Sequence, residues 1–282
     1  MKVPQTLGMT PLAFCSISAL DRSLAAAAEL AAAEGLDGLE VTQRAPHLAP
    51  GAGAEEIRAA GRAVRAAGVA VVAYGSYLGR RDVLGEGAHG AAAAEREARA
   101  AAALETPLLR VWADEVAGDA DLGRGRVRET LRAACDAMAA EGGSVVVERH
   151  VGSFADTPER IAALFDEVAR PNLALNYQVL DLLPQRLAAA QPEDARRLVP
   201  RARYFHLKNL RPAADGAGPM PPGASLAGGV LDYRAILRAA FEAGYAGPLT
   251  IEFLSYEPKP VQEKLAGDVA FLRGVLAELG RA

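Results

Sequence analysis

Short runs of aliphatic and β-branched residues alternate along the chain with longer alanine-rich segments. The runs are Gln5–Met9, Gly38–Thr42, Ala70–Tyr74, Leu108–Trp112, Ser144–Glu148, Leu173–Tyr177, Tyr204–Leu207 and Leu249–Phe253. Between them Asp21–Glu34, Ala54–Ala67, Ala88–Leu104, Val127–Ala140, Thr157–Glu167, Pro192–Leu198, Asp232–Ala243 and Pro260–Leu279 carry helical spacing. Alternation of this kind predicts an α/β protein with a parallel sheet covered by helices. Eight strand–helix units in 282 residues predict a single (β/α)8 TIM barrel spanning 1–282.

Local punctuation agrees. Gly35-Leu36-Asp37-Gly38, Ala67-Gly68 and Gly244-Tyr245-Ala246-Gly247-Pro248 read as helix ends running into strands. Asp156 or Thr157 is an N-cap, with Pro158 near the first helical position. One long irregular stretch, Arg211–Gly229, follows the seventh strand. It is either a lid at the face where barrel active sites lie or a disordered surface insertion.

Composition narrows the class. Hydrophobic residues make up 51% and charged residues 23%, which excludes disorder for the chain as a whole. Two cysteines, Cys15 and Cys135, give neither a disulfide framework nor a CxxC metal knuckle. The net charge of −4 shows no basic bias, so no nucleic-acid partner is expected. No run reaches the ~20 apolar residues that span a bilayer, and the N-terminus carries no signal-peptide pattern. A cytoplasmic protein without membrane contact is expected, with a homo-oligomer compatible.

Polar residues at the C-terminal ends of barrel strands point into the mouth or its loops. Four strand ends carry groups able to bind a metal: Glu148, Gln178, His206 and Glu252. Each glutamate ends a β-branched run, where an unpaired charge is expensive. Two carboxylates, an imidazole and an amide oxygen suit Mn²⁺, Mg²⁺ or Co²⁺, with Zn²⁺ as a further candidate. A metal there holds adjacent oxygens of a hydroxy-carbonyl substrate and stabilises an enediolate. Glu148 and Glu252 then take up and return a proton.

Other positions have two readings each. Lys208 shares the side of His206 and either neutralises an oxyanion or pairs with a carboxylate. His150 is a substrate contact or a cap. Trp112, on the same face as Arg110, is a substrate wall or core packing. Tyr77, like Tyr74, lines the pocket or packs. Arg211 clamps a polar group of the substrate or is solvated. Glu40, near the end of the second strand, is a substrate contact or, in the preferred reading, a structural acid. His47 and His89 are too few to build a three-zinc centre.

These residues carry a resemblance. Gly35-Leu36-Asp37-Gly38-Leu39-Glu40, Glu148-x-His150, Phe205-His206-Leu207-Lys208-Asn209, and Gly229–Leu237 continuing through Gly244-Tyr245-Ala246-Gly247 to Ile251-Glu252 resemble the xylose-isomerase-like TIM-barrel superfamily of sugar phosphate isomerases and epimerases. The resemblance implies a Glu, Asp, His, Glu metal shell. Glu148, His206 and Glu252 match it; Gln178 stands where the Asp belongs, and Asp181 lies three residues further on. One negative charge is therefore lost, which weakens or abolishes metal binding. The expected function is an isomerase or epimerase of a sugar, ketose or polyol-derived carbonyl compound. The alternatives are a lyase of the inosose or dehydroshikimate dehydratase type and a metal-depleted sugar-binding protein. A DNA-repair endonuclease is disfavoured by the charge.

Overall fold

The computed structural model describes residues 9–114, 120–252 and 259–281. Its strands are β1 (Leu12–Cys15), β2 (Gly38–Thr42), β3 (Ala70–Gly75), β4 (Leu108–Val111), β5 (Ser144–Glu148), β6 (Leu173–Tyr177), β7 (Ala202–Leu207), β8 (Asn209–Leu210), β9 (Pro222–Ala224) and β10 (Leu249–Ile251). Eight of them close into a parallel barrel in the order β1-β10-β7-β6-β5-β4-β3-β2. The expected (β/α)8 barrel is the observed fold. The helices around it are α1 (Leu24–Ala33), α2 (Ala54–Ala66), α3 (Arg81–Leu84), α4 (Ala91–Leu104), α5 (Ala120–Ala140), α6 (Pro158–Val168), α7 (Gln191–Leu198), α8 (Tyr233–Glu242) and α9 (Val261–Glu278). Among the described residues no helix is long and apolar enough to cross a membrane.

The strand residues are buried on both faces, as helix-covered parallel sheets require. The outward side packs on the helices. The inward side is filled low down by Ala73, Val146, Ala174 and Tyr204, a small cluster separate from the main core. Three alanine or valine side chains leave room for one tyrosine, and a polar layer sits above them.

The first and last barrel strands depart from the sequence expectation. The first strand is Leu12–Cys15, not Gln5–Met9: residues 5–8 lie outside the described residues, and Met9 is exposed and outside any strand. Leu12–Cys15 pairs with Gly38–Glu40 on one side and Leu249–Ile251 on the other. The last strand ends at Ile251, and Phe253 lies outside the described residues. Helix α5 starts at Ala120, seven residues before Val127. Gly123 and Gly125 disfavour helix, but Arg124 in that first stretch pairs with Glu167 of α6.

The caps follow the sequence. Thr157 accepts a hydrogen bond from Arg160 N at 3.3 Å, with Pro158 opening α6. Gly244 ends α8 in the left-handed region, at φ 91°.

The stretch after β7 is pinned rather than loose. Asn209–Leu210 pairs antiparallel with Pro222–Ala224. The Asn209 amide nitrogen donates to Leu226 O and Leu231 O, and its oxygen accepts from Leu210 N and Leu231 N. Leu226 N also donates to Asp268 of α9 at 2.8 Å.

Candidate functional site

The C-terminal ends of the strands carry a connected ladder of buried charge. Arg110 on β4 is fully buried, between Glu40 on β2 and Glu148 on β5. Its Nη2 lies 3.2 Å from Glu40 Oε1 and its Nη1 lies 2.8 Å from Glu148 Oε2. Glu40 Oε2 lies 2.6 Å from His206 Nε2 on β7. His206 Nδ1 lies 3.3 Å from Oε2 of Glu252, the residue after β10. Lys208 Nζ sits 2.9 Å from Asp181 Oδ2.

A glycine makes the first rung possible. Gly75 on β3 separates Glu40 from Arg110 in the sheet and pairs in register with Arg110. A Cβ built there would stand 2.3 Å from Glu40 Oε1 and 2.7 Å from Arg110 Nη2. The missing side chain is the gap through which acid and guanidinium meet. Gly75→Ala is therefore expected to destabilise the protein by about 1–3 kcal/mol. Denaturant melts would show it, and an unchanged midpoint would mean the pair can shift aside without loss.

The charges sustain one another. Burial alone would raise Glu40, but His206 and Arg110 hold its pKa down to about 2. Burial would lower His206, but Glu252 and Glu40 raise it to about 10, so the ring is an imidazolium at neutral pH. Burial opposes the Arg110 charge, and Glu148 and Glu40 outweigh it. Burial likewise opposes ionisation of Glu252, yet His206 and Lys208 keep its pKa lowered. The Asn176 amide lies 3.2 Å from His206 Nδ1. With the ring protonated, its carbonyl oxygen, otherwise buried without a partner, is the end that suits that N–H.

The four residues read from the sequence as one metal shell are brought together as two pairs. Gln178 Nε2 donates to Glu148 Oε1 at 2.9 Å and to Arg149 O at 2.6 Å. Two acceptors fix that end of the amide as the NH₂ group. Gln178 thus turns a donor, not a ligand oxygen, toward Glu148. His206 and Glu252 form the second pair, with Cys15 close by; donor atoms of these three lie within 4.8 Å of one another. Burial, with Glu40 and Glu252 beside it, keeps the Cys15 thiol protonated, and both His206 nitrogens face carboxylates. As folded the donor set does not converge on one point as a divalent ion requires: Gln178 turns its NH₂ group to Glu148, Glu148 Oε2 faces the Arg110 guanidinium, and His206 lies between two carboxylates. Asp181 Oδ2 accepts from Lys208 Nζ at 2.9 Å, which ties this acid to the ammonium rather than to Glu148.

A wall of aromatic groups stands beside the ladder. Trp112 stacks on Tyr77 with centroids 6.0 Å apart, meets His150 edge-on at 5.0 Å, and donates from Nε1 to Ser76 O. The guanidinium carbons of Arg80 and Arg110 lie 4.3 and 5.0 Å from its ring centroid. Tyr77 is set by a buried relay: Gln43 Oε1 accepts from Tyr77 N, and Gln43 Nε2 donates to Glu97, which also accepts from Tyr74. His150 is half-buried. Arg211 is exposed, its backbone bonded to Pro221, and it joins neither the ladder nor the wall in any contact described.

The sequence leaves Glu40 between a substrate contact and a structural acid, assigns Arg110 only a face shared with Trp112, and singles out neither Arg80 nor Cys15 for the site. The signal for the first two was present: each charge interrupts an apolar strand, Leu108–Val111 or Gly38–Thr42, and must be paired there. Arg80 and Cys15 sit in ordinary contexts and gave no such signal.

Comparison with known proteins places the fold. A family model described as a xylose isomerase-like TIM barrel matches residues 28–275. No curated protein matches the sequence. Among solved structures, a xylose isomerase-like TIM barrel protein from Mycobacterium smegmatis in complex with magnesium is 19% identical, with TM-score 0.74 and 100% of both chains covered. The probable 3-DHS dehydratase AsbF from Bacillus anthracis is 18% identical, with TM-score 0.68, over 93% of this chain and 98% of that one. A D-psicose 3-epimerase, solved with D-fructose, is 17% identical, with TM-score 0.68, over 94% and 99%. The neighbours of this barrel thus include an epimerase and a dehydratase. With a closed eightfold barrel and a family match over most of its length, the chain belongs to the xylose isomerase-like TIM barrel family.

Proposed function

We propose that this chain is an enzyme that moves a proton beside the carbonyl of a sugar- or polyol-like small molecule, as an isomerase or epimerase. The observation that carries the reading is the pair of buried carboxylates at strand ends, Glu148 on β5 and Glu252 beyond β10, each held beside a cationic side chain. They stand three strands apart around the ring, so a substrate between them meets a carboxylate from two directions. One glutamate takes the C–H proton, and the other delivers a proton to the opposite face or to the neighbouring carbon. Charge developing on the carbonyl oxygen is met by the Lys208 ammonium, which Asp181 holds in place. Trp112 and Tyr77 offer a flat apolar surface to the C–H face of a sugar, and His150 stands at the edge of that wall. The M. smegmatis neighbour is a complex with magnesium, and the residues that the sequence resemblance puts forward for a metal in this chain are Glu148, Gln178, His206 and Glu252.

A second reading, a dehydratase, is favoured by the AsbF likeness. It begins with the same proton abstraction and then expels hydroxide. One experiment tests both. Ketoses, aldoses and inososes are incubated with the protein in D₂O, followed by NMR for C–H exchange and by mass for loss of water. Exchange without loss of water is expected. Loss of water moves the assignment to the lyase, and binding without either removes catalysis from the proposal.

A further inference from the structure

We infer that in this chain the Arg110 guanidinium, with the Gln178 amide, occupies the role of a divalent ion at the barrel mouth. The mouth therefore carries its own fixed cation and takes up no metal. This goes beyond the proposed reaction and does not depend on it.

The geometry carries the inference from two sides. A divalent ion on Glu148 would need its carboxylate oxygens, and each already faces a donor group: Oε2 forms an ion pair with Arg110 Nη1 at 2.8 Å and Oε1 accepts from Gln178 Nε2 at 2.9 Å. An ion drawn to that carboxylate would sit against a guanidinium with nowhere to withdraw, because Arg110 is 1% exposed and also held by Glu40. Two like charges at such a distance repel strongly even after screening. The glycine at position 75 builds this pairing into the backbone.

The same two side chains retain unused capacity. The contact of Arg110 Nη1 with Glu148 Oε2 is close but not aligned as a hydrogen bond, and both atoms are buried without a hydrogen-bond partner. Gln178 Oε1 is likewise a buried acceptor without a partner. Buried polar groups are rarely left so. Arg110 Nη1 and Gln178 Oε1 flank one carboxylate, one as donor and one as acceptor. A carbonyl oxygen and a hydroxyl hydrogen would satisfy them, the two groups that a chelating metal would otherwise grip through oxygen.

Trp112 is the only tryptophan of the chain, and Arg110 lies 5.0 Å from its ring centroid. Bound Mn²⁺, being paramagnetic, would quench its emission from that distance. Chelator-treated wild type, Gln178→Asp and the double variant Arg110→Met/Gln178→Asp are titrated with MnCl₂, with emission and melting temperature recorded. Wild type and Gln178→Asp are expected to show neither saturable quenching nor a melting shift. The double variant is expected to show saturable, EDTA-reversible quenching and a rise of roughly 5 °C or more. Saturable quenching in wild type overturns the inference. Saturable quenching in Gln178→Asp alone also overturns it, because the guanidinium would then not be what excludes the ion. A folded double variant that ignores Mn²⁺ overturns it too. If the double variant does not fold without metal, the first two titrations still decide.

Discussion

Arg110→Met is expected to lower stability by about 3–5 kcal/mol, the usual loss when one partner of a buried ion pair is removed. In melting temperature that is a fall of roughly 6–20 °C. Methionine matches much of the volume, so the loss is electrostatic rather than a cavity effect. Glu40 would keep His206, at 2.6 Å, and so remain compensated. Glu148 would keep only the neutral Gln178 amide and the field of more distant charges. Most of the penalty therefore belongs to Glu148. Adding Glu148→Gln to Arg110→Met should recover more than half of the loss, because the stranded charge goes with it. A double-mutant cycle measures this directly. A single variant that melts within about 1 °C of wild type would show that water reaches Glu148 and that the rung is not buried in solution.

Much of the barrel was legible because helix-covered parallel strands are written as continuous apolar runs. Ser144–Glu148 and Leu173–Tyr177 match the structure residue for residue. The first strand was not legible. Leu12–Cys15 is four residues long and has no β-branched residue, and Pro11 precedes it. Its extended form comes from being clasped between β2 and β10, a long-range cause that local preference does not record.

The mouth divides in the same way. Which residues reach it could be read from strand ends and alternation, which pointed to Glu148, Gln178, His206, Lys208 and Glu252. What each one touches could not. Gln178 was legible as a neutral residue at an acidic position, but only the fold shows that Arg149 O turns its NH₂ end inward. Arg110 was visible as a charge in an apolar strand. Its two partners lie on β2 and β5, so finding them required the strand order and the absent side chain at Gly75. Arg211 had the right chemistry and the right loop, but the hairpin of β8 and β9 leaves it in solvent.

Glu252→Gln is expected to lower C–H exchange, on whichever hydroxy-carbonyl compound the D₂O screen returns, by about 10²–10⁴-fold. The amide keeps the shape of the carboxylate but cannot accept a proton. Glu252 is the better placed of the two glutamates to start the reaction. Its charge is kept at neutral pH by His206 and Lys208, against the burial that would otherwise raise its pKa. It is therefore an ionised base, partly desolvated, next to an ammonium able to meet the oxyanion. Loss of the base should appear in kcat with KM nearly unchanged, since the aromatic wall proposed to bind substrate is untouched. Lys208→Met should also lower kcat. The fall should be smaller than that of Glu252→Gln, since it removes charge stabilisation and leaves the base in place. The melting temperature gives the control. His206 retains Glu40 in the variant, so Glu252→Gln should melt within a few degrees of wild type. A variant that melts normally and still exchanges at the wild-type rate would remove Glu252 from the chemistry. The proton transfer would then rest on Glu148, whose carboxylate is paired with the Arg110 guanidinium.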